Sequence, residues 1–370
     1  MTGKRRRHRR NADTIRGVNS DAPHFLPWLP LLPFFWALLL AWLNPRQRRL
    51  SAWLAATAMV STGAFVALLA PAVFAGAVPK ATWEWMEGID YTIRVDGLAW
   101  MFCLLICAIG ALVVLYAHYY LHESDPEPRF FAYLLAFAGA MLGVVTAGNL
   151  IVLLVFWEAT SVVSFLLIGF WTHREDARRG ARMALTITAS GGLCLLAGLI
   201  LLGQIVGSFD LETVLAAGPA VRADPLYPAV LTLILLGAFT KSAQFPFHFW
   251  LPHAMAAPTP VSAFLHSATM VKAGIFLLAR FYPVLAGTEA WFYAVSVMGL
   301  ATLLLGAWHA TFQHDLKGLL AYSTISHLGL ITTLIGIGTP LACGYWRARS
   351  SSSCCHGPCS RSAVSPGISP

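Results

Sequence analysis

Ten apolar runs of about twenty residues limit what this chain can fold into: 26–43, 51–75, 98–121, 130–147, 149–171, 182–207, 228–246, 260–283, 290–312 and 318–338. A helix of that length crosses a hydrocarbon core of about 30 Å. In hydrocarbon every backbone N–H and C=O needs a partner inside the structure, and a helix supplies its own. The runs are apolar on all sides. Strand alternation is absent, which excludes a β-barrel. The expected fold is therefore an all-α polytopic membrane protein with about ten transmembrane helices. Apolar residues make up 57% of the 370 and charged residues 11%, against about 25% charged in soluble domains. Once the spans are subtracted, no soluble domain of useful size remains.

The formal net charge of +8 does not point to a nucleic-acid partner. Much of it lies in the N-terminal run KRRRHRR, and most of the rest lies in short loops, where it reads as topology signalling. One set of loops carries Arg46, Arg48, Arg49, Arg129, Arg174, Arg178, Arg179, Arg182 and Lys317. The opposite set carries Lys80, Arg94, Arg222 and Arg280. The first set is expected on the cytoplasmic side. That puts the N-terminus outside, although residues 1–16 hold seven basic side chains. Either residues 1–25 are a tail that resists translocation and reverses the first span, or the start is assigned too far upstream. Agreement among the internal loops favours the second. The apolar run that follows is long and lacks a small-residue cleavage site, so it is no secretory signal peptide. Residues 342–370 are rich in Ser, Cys, Pro and Arg and have no helical period. They read as a disordered tail or as a frameshifted end in place of further membrane helices, and the abrupt change of composition favours the frameshift.

Cys103, Cys107 and Cys194 lie in apolar runs, where cysteine acts as a small hydrophobe. Cys343, Cys354, Cys355 and Cys359 fall in the tail. No pair has zinc spacing backed by histidine. There is no GxGxxG after a strand, no P-loop, no iron–sulfur cluster motif and no HExxH. No metal and no cofactor is expected, and the chain carries no redox site of its own.

Against this background three ionisable residues stand out inside apolar runs: Glu158, Lys241 and Lys272. A charge at the centre of a bilayer costs about 2.5–3.5 kcal/mol on the gentlest scale. Such residues persist where they pair, face water or move protons. Lys241 lies in LLGAFTKSAQFPFHFW, shortly before Pro246. Proline lacks an N–H and clashes with the carbonyl four residues back, so a helix break is expected at Pro246. Broken helices at membrane depth are the usual build of transporter ion sites. His248, Pro252, His253, Pro258 and Pro260 extend the interruption. The plainer alternative is a lysine that snorkels to the interface. Glu158 lies near the middle of its run. It is either a neutral carboxyl satisfied by Thr160 or Ser161, or the partner of a buried lysine on another helix.

His266 and Lys272 are expected on one helix, about 9 Å apart along its axis, with Thr269 between them. His266 is a proton relay or a core histidine held by a hydroxyl. Asp315 and Lys317 stand at a helix entrance and read equally as a cap, a topology signal or functional groups. Ser323 and His327 lie one turn apart on one face. His327 could relay protons or bond between helices. His309 and His314 receive no role.

These residues sit in VFWEATSVVSFLLIGFW, GAFTKSAQFPFHFWLPHAMAAPTPVSAFLHSATMVKAG and QHDLKGLLAYSTISHLGL. With them the chain resembles the antiporter-type subunits of the complex I superfamily, from about Pro30 through Leu341. Within it the resemblance is to the large A subunit of Mrp- or Pha-type multisubunit sodium or potassium/proton antiporters, with subunit 5 (L-type) of NADH–quinone oxidoreductase as the close cousin. The resemblance implies two inverted five-helix bundles, each with a discontinuous helix. This chain would hold the first bundle and part of the inverted repeat. Glu158 would match the glutamate of the fifth core helix, and Lys241 the lysine of the broken helix and its ion-pair partner. His248, His266 and Lys272 would match the hydrophilic chain, and Lys317 and His327 its later members. The family continues past GTPLA with a second interrupted helix, and this chain has the odd tail instead.

The resulting division is a tail at 1–25, N-terminal membrane helices at 26–129, a proton-translocating core at 130–283, a partial second repeat at 284–341 and a non-helical tail at 342–370. The expected function is proton translocation in a sodium or potassium/proton antiporter of the bacterial inner membrane, together with other small membrane subunits. The alternatives are a proton-pumping arm of an NADH–quinone oxidoreductase, or an inactive fragment.

Overall fold

The computed structural model describes residues 25–43, 48–86, 89–267 and 269–338. The basic N-terminal run, Arg46 and the segment 342–370 with its four cysteines lie outside them. Each of the ten apolar runs contains an α-helix, the runs 51–75 and 260–283 contain two, and further short helices lie between runs. In chain order they include α1 (Leu31–Leu43), α2 (Arg48–Leu68), α3 (Gly97–Tyr120), α4 (Glu127–Thr146), α5 (Leu150–Ile168), α6 (Glu175–Val206) and α7 (Tyr227–Lys241). They continue with α8 (Trp250–Ala254), α9 (Thr259–Ser267), α10 (Met270–Leu285), α11 (Glu289–Thr311) and α12 (Leu316–Ile337). Among the described residues, eight helical stretches are long and apolar enough to cross a membrane. Leu31–Leu43 and Tyr227–Lys241 are shorter. The protein is a polytopic helical membrane protein.

Polar residues at the span boundaries set the helix starts. Asp96, Asn149, Thr288 and Asp315 each accept a hydrogen bond from a first-turn backbone N–H of α3, α5, α11 and α12. Each satisfies a donor that the helix cannot satisfy itself. Of the readings open for Asp315, the structure shows the cap.

The centre of the first half is α4, buried along almost its whole length. Two of its glycines admit aromatic rings. A Cβ at Gly143 would lie 2.2 Å from the Phe156 ring of α5, and one at Gly139 would lie 2.7 Å from Phe34 of α1. α11 and α12 pair through backbone contact. Gly299 and Gly306 on one, and Gly329 and Gly336 on the other, recur every seven residues and face the opposite backbone. Small residues let membrane helices approach this closely, where packing rather than the hydrophobic effect drives association.

A small sheet accompanies the helices, outside the apolar runs: β1 (Lys80–Met86) and β2 (Ile89–Arg94) form an antiparallel hairpin with Trp83 opposite Tyr91. It lies between spans, and its signal in KATWEWMEGIDYTIR is a short run of aromatic and β-branched residues either side of a Glu-Gly pair. The Gly148 N–H donates to Thr92 O at 2.8 Å, and Lys80 pairs with Asp210 at 3.0 Å. This ties the hairpin to the α4–α5 turn and to the segment after α6. Partial burial pushes the Asp210 carboxyl up, but the Thr213 N–H and Lys80 outweigh it and hold the group below its ordinary value. The clamp is complete above the unfolded aspartate pKa of about 3.9. It weakens as pH falls through the lower folded value.

Several charges read as topology signals are also structural partners. Arg48 donates to the buried Glu127 at 2.5 Å and to Leu121 O at 2.7 Å, and His118 meets the other Glu127 oxygen at 2.9 Å. The starts of α2 and α4 and the end of α3 are joined at this one carboxylate. Arg222 donates to the carbonyls of Pro283 and Val284 at the end of α10. Glu127→Ala would leave Arg48 and His118 without their anion. A loss of about 2 kcal/mol of stability is expected, less than for a fully buried pair because Arg48 is partly exposed. Thermal unfolding in detergent reads it, and an unchanged midpoint would mean that the cluster contributes nothing.

Candidate functional site

α7 ends at Lys241, five residues before Pro246. The sequence places the break at the proline, but the chain leaves the helix earlier. Phe245 is barred from helical geometry by the proline after it, and the Ser242 carbonyl would meet the ring. Ala243 turns into the left-handed region at φ 48°, a conformation that costs an alanine about 1–2 kcal/mol. The freed groups find partners. Ser242 Oγ donates to Val271 O at 2.6 Å, Gln244 N to Phe239 O at 2.9 Å and Phe245 N to Thr302 Oγ1 at 2.9 Å. Trp250 Nε1 donates to Thr240 O at 2.9 Å. This bonding lets irregular backbone persist at membrane depth.

Lys241, the last residue of α7, is fully buried. It does not snorkel. Its Nζ donates to Trp157 O at 3.0 Å and to Ser161 Oγ at 2.7 Å, and lies 5.0 Å from the centre of the Trp157 ring. All three contacts are on α5, flanking Glu158. The ion pair with Glu158 that the resemblance implies is not formed, because the ammonium bonds the residues on either side of it. The two charges are still electrostatic neighbours.

Glu158 is half-buried, and its Oε1 has no hydrogen-bond partner among the described residues. The neutralising hydroxyls considered for it are engaged elsewhere: Thr160 bonds Trp157 O, and Ser161 accepts from Lys241. The carboxylate instead lies against α6. A Cβ at Gly192 would be 1.6 Å from Oε1, and one at Gly191 would be 1.8 Å from Thr240 Oγ1. Two adjacent glycines thus make room for the glutamate of α5 and for the threonine beside Lys241. Sequence reading missed them. Their signal is a Gly-Gly pair in mid-span, where small residues mark close packing.

His266 and Lys272 are not on one helix. α9 ends at Ser267 and α10 starts at Met270, so a second break separates them. Thr269, with φ −125° and ψ −89°, lies outside helical geometry. Its hydroxyl donates to Phe264 O at 2.6 Å, the local competition with helix bonding that Ser and Thr offer. Thr269 therefore does not satisfy the imidazole. His266 is 4% exposed, and neither ring nitrogen has a partner among the described residues. The hydroxyl-held core histidine is not what is seen. Lys272, half-buried on α10, likewise makes no hydrogen bond or ion pair among the described residues. The two breaks touch, since Val271 O accepts from Ser242 and a Cβ at Gly274 would lie 2.2 Å from Ala238 O.

The other candidates stand apart from this set. His248 lies in the turn Phe247–Phe249 and stacks on Phe245 with ring centres 6.2 Å apart. Lys317 reaches across to Ala257 O at 3.1 Å and Met255 O at 3.3 Å, just past the end of α8. His327 is exposed and bonds Ser323 O of its own helix at 2.7 Å, and among the described residues it bonds no second helix. Arg280, read as a loop charge, is 1% exposed and makes a bidentate pair with Asp96 at the start of α3. Its place inside the apolar run 260–283 is a signal that the loop reading passed over, while its partner lies far away in sequence.

The interior of this helical membrane protein thus holds two touching helix breaks, with a buried lysine in one and, at the other, a histidine with no hydrogen-bond partner among the described residues. The chain belongs to the family described as NADH:quinone oxidoreductase/Mrp antiporter, whose transmembrane region matches residues 147–347. A second match, described as NADH-ubiquinone oxidoreductase (complex I), chain 5 N-terminus, covers residues 85–131. The chain is 62% identical over 314 residues to the A/B subunit of a probable K(+)/H(+) antiporter of Rhizobium meliloti, covering 84% of this chain and 31% of that protein. It is 47% identical over 328 residues to the A subunit of the Na(+)/H(+) antiporter of Alkalihalophilus pseudofirmus, covering 85% of this chain and 40% of that one. A chain of the Mrp complex from Dietzia sp. DQ12-45-1b superposes with a TM-score of 0.79 at 38% identity, covering 86% of this chain and 34% of that one. The chain thus spans between 31% and 40% of the length of these relatives.

Proposed function

We propose that this chain is the proton-translocating part of a multisubunit monovalent cation/proton antiporter of the bacterial inner membrane. It would act as part of a transporter, not as a redox enzyme. The observation that carries the reading is Lys241: a fully buried ammonium at a helix end, held by Trp157 O and Ser161 Oγ beside an unpartnered Glu158 oxygen. A buried charge with a second titratable group at hand is a site whose proton occupancy responds to its neighbour. Residues 130–283 form the working core, and 26–129 and 284–341 flank it. Glu158, Lys241, Lys272 and His266 are the central groups, and His248, Lys317 and His327 extend the path. Sodium or potassium export is driven by proton entry, and small membrane subunits complete the assembly. The loops with Arg129, Arg174, Arg178 and Lys317 face the cytoplasm.

The test is antiport in inside-out vesicles from cells that lack their own sodium efflux and express this chain with the subunits encoded beside it. Addition of sodium or potassium is expected to collapse a preformed pH gradient. A gradient that ignores both cations would reject antiport. The match to chain 5 of complex I keeps one other reading in play. It predicts proton pumping that follows NADH oxidation, with no response to either cation.

A further inference from the structure

We propose that the cleft between the start of α4, the end of α5 and the start of α6 binds the headgroup of an anionic phospholipid. The cleft has a volume of about 440 Å³ and is lined by Arg129, Arg178, Arg182, Tyr133, Phe165 and Phe170, among others. Its cations are in excess. Glu175 also lines the cleft, but it is engaged by Arg179 at 2.6 Å. Arg178 and Arg182 make no side-chain hydrogen bond or ion pair among the described residues, and the Arg129 guanidinium lies 5.8 Å from the centre of the Phe170 ring. Three guanidinium groups, none of them paired with the one carboxylate of the cleft, repel a cation and recognise phosphate through planar, bidentate geometry.

Depth selects a lipid over a soluble anion. α6 has 32 residues, about 48 Å of helix against a hydrocarbon core of about 30 Å. It therefore extends beyond the core, and Arg178 and Arg182 sit in its first turns. The inner wall of the cleft is Tyr133, Phe165 and Leu166, which belong to spanning helices. The charged stretch 173–182 precedes the apolar run of α6, which argues for the arginines at headgroup level and the aromatic wall at the level of the first acyl carbons. Basic pockets between helices at this depth suit acidic headgroups. No residue of the proton site lines the cleft.

The experiment uses the full chain in neutral detergent, with phosphatidylglycerol and phosphatidylcholine as probes and native mass spectrometry as the readout. Phosphatidylglycerol is expected to bind in preference to phosphatidylcholine. The triple variant Arg129→Gln/Arg178→Gln/Arg182→Gln is expected to weaken it on the order of 100-fold, from three basic side chains near an acidic surface. Arg49→Gln, an exposed basic side chain of the same loop set that does not line the cleft, should leave binding unchanged. Arg182→Glu alone reports the same loss should the triple variant fold poorly. Equal binding of the two lipids would overturn the proposal. So would retention of phosphatidylglycerol in the charge-removed variants, or a loss as large in Arg49→Gln. Full displacement by glycerol phosphate at equal concentration would reassign the cleft to soluble anions.

Discussion

Lys241→Ala is expected to abolish cation-dependent proton movement while leaving the protein in the membrane. The loss should be about two orders of magnitude or more, the scale for removing a positioned proton-transfer group. Lys241 Nζ is the charged group bonded to the face of α5 that carries Trp157 and Ser161. No other lysine or arginine among the described residues bonds there. Lys241→Arg is a sharper probe. It keeps the charge but not a proton that can be released, since guanidinium stays protonated. Its larger planar head also cannot reproduce two contacts at 3.0 and 2.7 Å made from one atom. If only fixed charge matters, the arginine variant retains transport; if proton exchange matters, it fails like alanine. Vesicle antiport at matched protein levels separates the two. Wild-type rates in Lys241→Ala would remove this residue, and with it the proposed core, from the pathway.

Much of this site is legible in the order of the residues, for physical reasons. A lysine or glutamate in the middle of an all-apolar run is visible because hydrocarbon penalises it, so Glu158, Lys241 and Lys272 can be chosen from sequence. The spans are legible for the same reason. The first break is signalled by Pro246, though its start at Ser242 depends on bonds to Val271 and Thr302 that come from elsewhere in the chain. The second break has no proline or glycine at its centre. It depends on Thr269 bonding Phe264 O, and that choice is made by packing. The partners of Arg280 and Arg48, Asp96 and Glu127, are not legible, because they are 184 and 79 residues away. Periodicity reports which residues can share a face, but not what lies opposite. The contact of Lys241 with the residues flanking Glu158, and not with Glu158 itself, belongs to that unreadable part.

Gly192→Ala is expected to impair transport almost as strongly, without unfolding the protein. The added Cβ would fall 1.6 Å from Glu158 Oε1, an impossible distance, so one of the two must move. The obstructed atom is the end of a flexible side chain, so the carboxylate swings away while the helices stay in place. Alanine also has the higher helix propensity, by about 1 kcal/mol in an exposed helix, so α6 is not weakened. A shift of about 1 Å in a reacting group can cost about a hundredfold in rate. Gly274→Ala provides the contrast. Its Cβ would lie 2.2 Å from Ala238 O and 2.4 Å from Ser242 Oγ. Backbone cannot rotate out of the way, so α7 and α10 must separate, and a loss of stability of about 1–3 kcal/mol is expected from overpacking. Two substitutions of identical chemistry should thus fail differently, Gly192→Ala in transport at a normal unfolding temperature and Gly274→Ala in both. Shortening the glutamate should relieve the first, so Gly192→Ala/Glu158→Asp is expected to transport faster than Gly192→Ala alone. If Gly192→Ala antiports at the wild-type rate, the position of the Glu158 carboxylate against α6 does not matter to the proton path.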